Sequence, residues 1–309
     1  QMRNAVAIAE SESFRVAAER CHVSQSGLSM QVQKLEDLLG SVLFDRSKKP
    51  VMLTANGDAA IAQMRAILRE TERLGQILAE EEEPSGRFRL GVIPTLAATV
   101  LPLFLKRFVD LYPRVELLIE ELKTDEIIAR LHADTLDAGL ASTPLGEAGL
   151  HEEALALEPL FAYLPPDDPL LRKKAIPQPD LEKRELWVMP EGHCFRAQVL
   201  SYCGADWRNE PARVRFESGA FETLIRLVDG GMGATILPAL VVRGLDPHKR
   251  DARVRPLSGP TPVREIGLVT ARTELRRRVV EALADVVRQE LESALGKSPR
   301  RAQVLDPRA

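Results

Sequence analysis

The feature that most constrains this chain is a change of pattern at Pro84-Ser85-Gly86. Before it, apolar residues recur at helical spacing almost without a break; after it, short β-type runs alternate with helical ones. One chain must therefore hold a helical head and a sheet-based body. Its 309 residues are enough for both.

Residues 1–20 read as two short helices divided at Glu12-Ser13, with Ser13 capping the second. Cys21-His22-Val23 breaks the chain. Ser24 then caps a third helix that runs to about Leu39 and stops at Gly40. Leu28, Val32, Leu35, Leu38 and Leu39 predict one buried stripe along it. Val42-Leu43-Phe44 and Val51-Met52-Leu53, around Arg46-Ser47-Lys48-Lys49-Pro50, predict a two-stranded wing. Thr54 to Glu83 reads as one long helix, with Ile61, Met64, Ile67, Leu68, Leu74, Ile77 and Leu78 at helical spacing. Such a length suits a connector that pairs with a second copy.

In the body, strands are predicted near 88–93, 115–121, 136–141, 158–163, 186–189, 213–217, 234–238 and 265–270. Helices are predicted near 99–111, 124–133, 194–203, 220–230 and 273–295. The alternation argues for an α/β fold of parallel sheets with helical crossovers, in two lobes around a cleft. The expected divisions are a DNA-binding domain at 1–56, a linker helix and hinge at 57–86, and a regulatory domain at 87–309. Within the last, lobe I covers about 87–160 and 266–295 and lobe II about 161–265; the Arg- and Pro-rich tail after Gly296 is expected to be disordered.

Net charge is −3, so any nucleic-acid contact must come from a local surface. No run of about 18 apolar residues occurs, and no membrane span is expected. Gln1-Met2-Arg3-Asn4 lacks the apolar run of a signal peptide and lacks an obvious start. The expectation is a cytoplasmic chain with a few residues preceding Gln1. Three cysteines, Cys21, Cys194 and Cys203, argue against a disulfide framework and leave catalytic, redox or buried thiols open. His22, His132, His151 and His248 show no metal-ligand spacing, and no phosphate loop, zinc motif or nucleophile elbow occurs, so no metal or cofactor is expected. Gly230-Gly231-Met232-Gly233 reads as a turn before Thr235-Ile236-Leu237-Pro238.

Two segments carry the chemistry. In the first, Phe14 to Glu36, the small Ala17 and Ala18 let two helices cross closely. The next helix opens with Ser24, Gln25, Ser26 and Ser29, short polar side chains that can enter a major groove, and its N-terminus can hold a phosphate. Arg15, Lys34, Arg46 and Lys48, with Lys49, suit contacts to the DNA backbone. Residues 1–58 hold seven basic and seven acidic side chains, so charge leaves equally open a structural three-helix domain with a solvated face.

Ala17-Ala18, Val23-Ser24-Gln25, Leu28-Ser29, Gln31, Leu35-Glu36, Leu39-Gly40, Leu43-Phe44 and Arg46 resemble the signature of LysR-type regulators. The resemblance continues through the linker helix and the body. It implies a winged helix-turn-helix, a long linker helix and a two-lobed, periplasmic-binding-protein-like effector domain. It also implies a homodimer or dimer of dimers on a pseudo-palindromic operator, with RNA polymerase as a further partner. Gly27 departs from the Ala or Thr usual there, which lowers helix propensity and removes one base contact.

The second segment runs from Glu191 to Cys203. Cys194 follows Pro190 and Gly192 at an expected helix start, where the helix dipole, His193 and Arg196 favour a thiolate. An accessible thiolate is the form that attacks peroxide. The plainer reading is two small buried hydrophobes. If the interval is helical, the two Cα atoms stand roughly 13 Å apart, against about 7 Å for a disulfide, so joining them would unwind the helix.

Gly192-His193-Cys194, with a second cysteine nine positions on, resembles the redox segment of the peroxide-sensing branch of the same family. That resemblance implies Cys194 as the peroxidatic residue, Cys203 as the resolving one, a reversible disulfide between them and a thiol reductant to undo it. Ala197, where an acidic residue is common, and Gly204 depart from it. Thr95 and Thr124 match threonines around the peroxide pocket of that branch. Arg264, just ahead of the strand Glu265–Val269, matches an arginine there, and His193 can donate to peroxide. The plainer readings are a helix cap or turn for the threonines, a surface ion pair for Arg264 and a local hydrogen bond for His193. Cys21 reads as packing. The expectation is a non-enzymatic regulator that senses hydrogen peroxide. The alternative is a regulator binding a small effector in the inter-lobe cleft; a thiol peroxidase or solute-binding protein fits the head poorly.

Overall fold

The computed structural model describes residues 1–78, 83–204, 220–271 and 276–308. They fall into two compact units, 1–82 and 83–309. The strand predicted at 213–217, the end of the linker helix after Leu78 and the start of the helix predicted from 273 lie outside the described residues.

The first unit holds α1 (Met2–Ser11), α2 (Phe14–Arg20), α3 (Gln25–Leu39), β1 (Phe44–Asp45), β2 (Met52–Leu53) and α4 (Ala55–Leu78). Local chemistry sets the boundaries. Ser13 accepts from the Val16 amide and Ser24 from the Gly27 amide, while Gly40 closes α3 at a left-handed φ of 63°. The core gathers Ile8, Ala17, Leu28, Val32, Leu35 and Phe44. Leu38 and Leu39, expected in the buried stripe, are instead 78% and 47% exposed. The core ends where the chain turns into the wing, and Glu36 takes the last buried position because its carboxylate finds partners there.

The second unit continues with β3 (Gly86–Val92), α5 (Pro94–Leu111), β4 (Val115–Glu121), α6 (Thr124–His132), β5 (Ala138–Thr143) and β6 (His151–Tyr163). A 3-10 turn at Pro169–Arg172 leads to α7 (Gln178–Glu182), β7 (Leu186–Trp187), α8 (Cys194–Cys203), α9 (Phe221–Asp229) and β8 (Ala234–Pro238). The chain ends with α10 (Ala239–Arg243), α11 (Pro247–Arg253), β9 (Val254–Pro256), β10 (Thr261–Thr270), α12 (Arg277–Leu295) and β11 (Ala302–Val304). Helix α5 starts at Pro94, earlier than predicted, since proline suits a first helical position. No helix among the described residues is long and apolar enough to cross a membrane.

The strands form one sheet in the order β4-β3-β5-β10-β6-β8-β7, with β11 on β10 and β9 on β6. The sheet is mixed, not parallel as predicted. β10 runs antiparallel to both β5 and β6, and β6 antiparallel to β8. The reason lies in the path: β6 carries the chain from one core to the other and β10 brings it back, so the two oppose each other. The first core contains Phe88, Phe104, Phe108 and Leu283. The second contains Tyr163, Trp187, Phe195 and Ile236.

The tail after Gly296 is ordered, against expectation. Ala302 lies opposite Thr261 and Val304 opposite Val263 in a parallel pairing, and Leu305 is buried in the second core. β5 pairs only with residues 265–269 of β10, which leaves the 261–263 edge for the tail to complete. A polar segment thus acquires its strand from a neighbour rather than from its own propensity.

Candidate functional site

On the head, Gln25, Ser26, Ser29 and Arg46 line one concave pocket of about 580 Å³ with Phe14 and Val51. Ser24 Oγ lies 3.3 Å from Ser26 Oγ and caps the helix through Gly27, so the first turn of α3 presents a polar face. Arg15 is tied to Glu19 in an exposed pair one helical turn long. Lys34 and Lys48 are exposed. Arg46, expected to reach out from the wing, folds back. Its Nη2 donates to Glu36 Oε2 at 2.6 Å, its Nη1 donates to Ser29 Oγ at 3.3 Å, and its guanidinium lies over the Phe14 ring. It braces α3 against the wing while remaining partly exposed.

Glu36 stands in the sequence only as part of the matched Leu35-Glu36 pair, with no local pattern that assigns it a buried role. Its buried carboxylate accepts from the Leu43 amide at 2.7 Å, the Phe44 amide at 3.3 Å and Arg46. Glu36→Ala strands these donors and is expected to cost about 2–3 kcal/mol of head stability. Thermal unfolding of the full chain reads this; a loss below about 1 kcal/mol would show the carboxylate to be dispensable.

In the body, α8 is a regular helix with a cysteine at each end. Nine rises place the two Cα atoms roughly 13 Å apart. The thiols sit in different cores, Cys194 in the first and Cys203 in the second. The accessibility expected of Cys194 is not there: it is 9% exposed and Cys203 2%. Phe195, Val199, Leu200 and Tyr202 are buried around α8 and draw both ends inward.

Arg264 lies inside β10 rather than ahead of it, and it is fully buried, so it forms no surface ion pair. Its Nε donates to Glu158 Oε2 at 2.6 Å. Nη1 donates to Thr95 Oγ1 at 3.2 Å and Nη2 to Thr95 O at 3.3 Å. The guanidinium stands 5.5 Å from the centre of the Phe195 ring, next to Cys194 in sequence. Glu158, also missed by the sequence, spends its other oxygen on the Leu240 amide at 2.7 Å.

The other flank of α8 meets the turn between β4 and α6. Gly192 has φ +84°, and a Cβ there would stand 3.2 Å from Lys123 Nζ. Thr124 follows Lys123 as the first residue of α6. Its hydroxyl is buried and has no hydrogen-bond partner. Arg264, which holds Thr95, thus reaches Phe195 in the first turn of α8, and Lys123, next to Thr124, reaches Gly192 just ahead of that turn, while Cys203 stands at the far end of the helix.

Burial, reinforced by Lys123 and opposed by Glu121, lowers the pKa of His193. The imidazole is therefore neutral near neutral pH and supplies no cation to Cys194. Arg196 is turned to the Met189 carbonyl at 3.1 Å. Of the three expected aids to a thiolate, the helix N-terminus stays in place: Cys194 opens α8, and His193 gives it no side-chain cap. At the other end, burial and then Glu182 push the Cys203 thiol up to about 12, so it stays protonated.

Comparison with known proteins covers both units. Residues 1–58 match the family described as bacterial regulatory helix-turn-helix protein, lysR family, and residues 81–292 match the LysR substrate binding domain. The DNA-binding transcriptional dual regulator OxyR of Escherichia coli K12 is 33% identical over 299 residues, spanning 96% of this chain and 97% of that protein. A probable hydrogen peroxide-inducible genes activator of Mycobacterium avium is 34% identical over 270 residues, 87% of this chain and 86% of that one. Among solved structures, a full-length OxyR variant from Pseudomonas aeruginosa superposes with a TM-score of 0.76 at 33% identity, covering 93% of this chain and 96% of its own.

Proposed function

The chain belongs to the LysR family of bacterial transcription regulators, and from that premise we propose that it is a DNA-binding regulator that senses hydrogen peroxide through Cys194. The observation that carries the reading is the placement of the two thiols: opposite ends of one helix, in separate cores. The relatives named as hydrogen peroxide-inducible genes activators point the same way.

The Cys194 sulfur attacks one peroxide oxygen, the O–O bond breaks, and the other oxygen leaves as hydroxide and takes a proton to become water. Sulfur is oxidised to a sulfenic acid. The Cys203 sulfur then displaces that hydroxyl as a second water, giving the disulfide. A dithiol reductant returns both thiols. One peroxide is consumed per switching event, so the chain is a sensor rather than an enzyme. In this reading Thr124 and neutral His193 hydrogen-bond peroxide, while Arg264 fixes Thr95 and places positive charge near the developing hydroxide.

Residues 1–56 read the operator through Ser24, Gln25, Ser26 and Ser29, with Arg15, Lys34 and Lys48 on phosphates and Arg46 as the brace. Residues 57–86 link and pair two copies, 87–309 sense, and RNA polymerase receives the signal. Mass mapping of cysteine linkages before and after a small excess of peroxide tests the scheme. A 194–203 linkage should appear only afterwards; its absence, with a normal response from Cys194→Ser, would return the cleft-binding reading.

Thr124→Val separates chemistry from folding. It removes a buried hydroxyl that has no partner, so stability should hold or rise slightly. Oxidation of Cys194 should slow by at least about tenfold, read as the rate of sulfenic-acid trapping. An unchanged rate would remove Thr124 from the site.

A further inference from the structure

We infer that the C-terminal strap, residues 302–308, is a latch that holds α8 in its helical form and is released when Cys194 and Cys203 join. The inference rests on the peroxide-sensing reading above. The strap touches three places. β11 completes the 261–263 edge of β10, with the Thr261 amide donating to Arg301 O at 2.8 Å and the Leu305 amide to Val263 O at 2.9 Å. Leu305 packs into the core that holds Phe195, Val199, Tyr202 and Cys203. Arg308 Nη1 donates to Leu145 O at 2.9 Å and pairs with Glu147 at 2.8 Å.

The link to the thiols is Gln198. It lies between the two cysteines and is fully buried. Its Nε2 donates to Leu305 O at 2.9 Å, and its Oε1 has no partner among the described residues, so within them the strap provides this side chain's one hydrogen bond. Bringing the two Cα atoms from roughly 13 Å to within about 7 Å unwinds the helix around Gln198. The amide cannot then stay on Leu305 O, and the apolar surface that receives Leu305 is rebuilt at the same time. Apart from the ladder to β10, buried Leu305 and Pro307 and the Arg308 contacts, the strap is exposed, Ala302, Gln303 and Val304 included. Release bares the edge of β10 at residues 261–263, next to Arg264. By linkage, a latch that binds only the helical form must also oppose oxidation.

The test uses the full chain, reduced and oxidised, with hydrogen exchange read by mass spectrometry. Amides of β11 and Leu305 should be protected in the reduced chain and exchange at least a hundredfold faster once 194–203 is linked. Cys203→Ser treated with peroxide should keep its protection. A linked chain whose strap stays protected overturns the latch. Diamide, which oxidises dithiols directly, supplies the disulfide if peroxide does not, so failure of peroxide sensing and failure of the latch are separate results. In a glutathione buffer, a chain ending at Arg301 should favour the disulfide about tenfold more than the full chain, ~30 mV more negative. Gln198→Ala, which retains the strap, should shift the same way; unchanged potentials in both overturn the proposal.

Discussion

Cys194→Ser is expected to leave the chain folded and to abolish its response to peroxide. The side chain is small and 9% exposed, and serine is close in volume, so the cost to the first core is expected to be about 1 kcal/mol. The chemical effect is complete. A serine hydroxyl does not ionise at this helix start and does not cleave peroxide, so no sulfenic acid forms and Cys203 has nothing to displace. The treated variant should give no 194–203 linkage, no dimedone adduct at residue 194, and an operator footprint identical to that of the reduced chain. Cys203→Ser should behave differently: the dimedone adduct forms at Cys194, but the footprint does not change. A peroxide-dependent footprint in Cys194→Ser would sink the thiol mechanism outright.

Glu158→Ala is expected to be the most destabilising single change in the body. Arg264 and Glu158 are both fully buried and joined at 2.6 Å. Removing the carboxylate leaves a guanidinium without a counter-charge and strands the Leu240 amide. Breaking a buried pair costs about 3–5 kcal/mol, which in a unit of this size lowers the melting temperature by about 10 °C. The pair is not expected to be a large net source of stability. Arg264→Met with Glu158→Leu should recover most of the loss, because apolar side chains of similar volume carry no desolvation cost. The same double variant should still oxidise slowly, since Thr95 loses the guanidinium that fixes it. Calorimetry on the two singles and the double closes the cycle. A single-variant loss below about 1 kcal/mol would mean the charges are better solvated than their burial implies.

The head was legible almost residue by residue because its boundaries are local events. Ser13, Ser24 and Gly40 cap or end helices through atoms three or four positions away. Helix α8 and strands β4 and β8 were legible for the same reason, since each is bounded by its own glycines, prolines or changes of period. What was hidden depends on partners far along the chain. Glu36 and Glu158 look like ordinary solvated carboxylates until Arg46 and Arg264 arrive across 10 and 106 positions. The antiparallel course of β10 follows from the return of the chain between the two cores, and the strand at Ala302–Val304 from an edge left uncovered; no local pattern reports either. Within the site, the residue types around Cys194 could be named from the resemblance, but their burial, the neutrality of His193 and the turning away of Arg196 could not.

Under the proposed thiol chemistry, the lodging of the two thiols in separate cores also sets a clock. After the first oxidation, the sulfenic acid at Cys194 has to wait for α8 to open before Cys203 can reach it. That waiting time is a property of the helix and does not depend on how much oxidant is present. A second peroxide, by contrast, arrives at a rate proportional to its concentration and carries the sulfur on to the sulfinic acid, which ordinary thiol reductants do not reverse. The two processes race. At low oxidant nearly every event ends in a recoverable disulfide; above a threshold fixed by the opening rate of α8, the molecule is retired instead of reset. On that scheme, the length and packing of one ten-residue helix set the highest dose that this chain can register and survive.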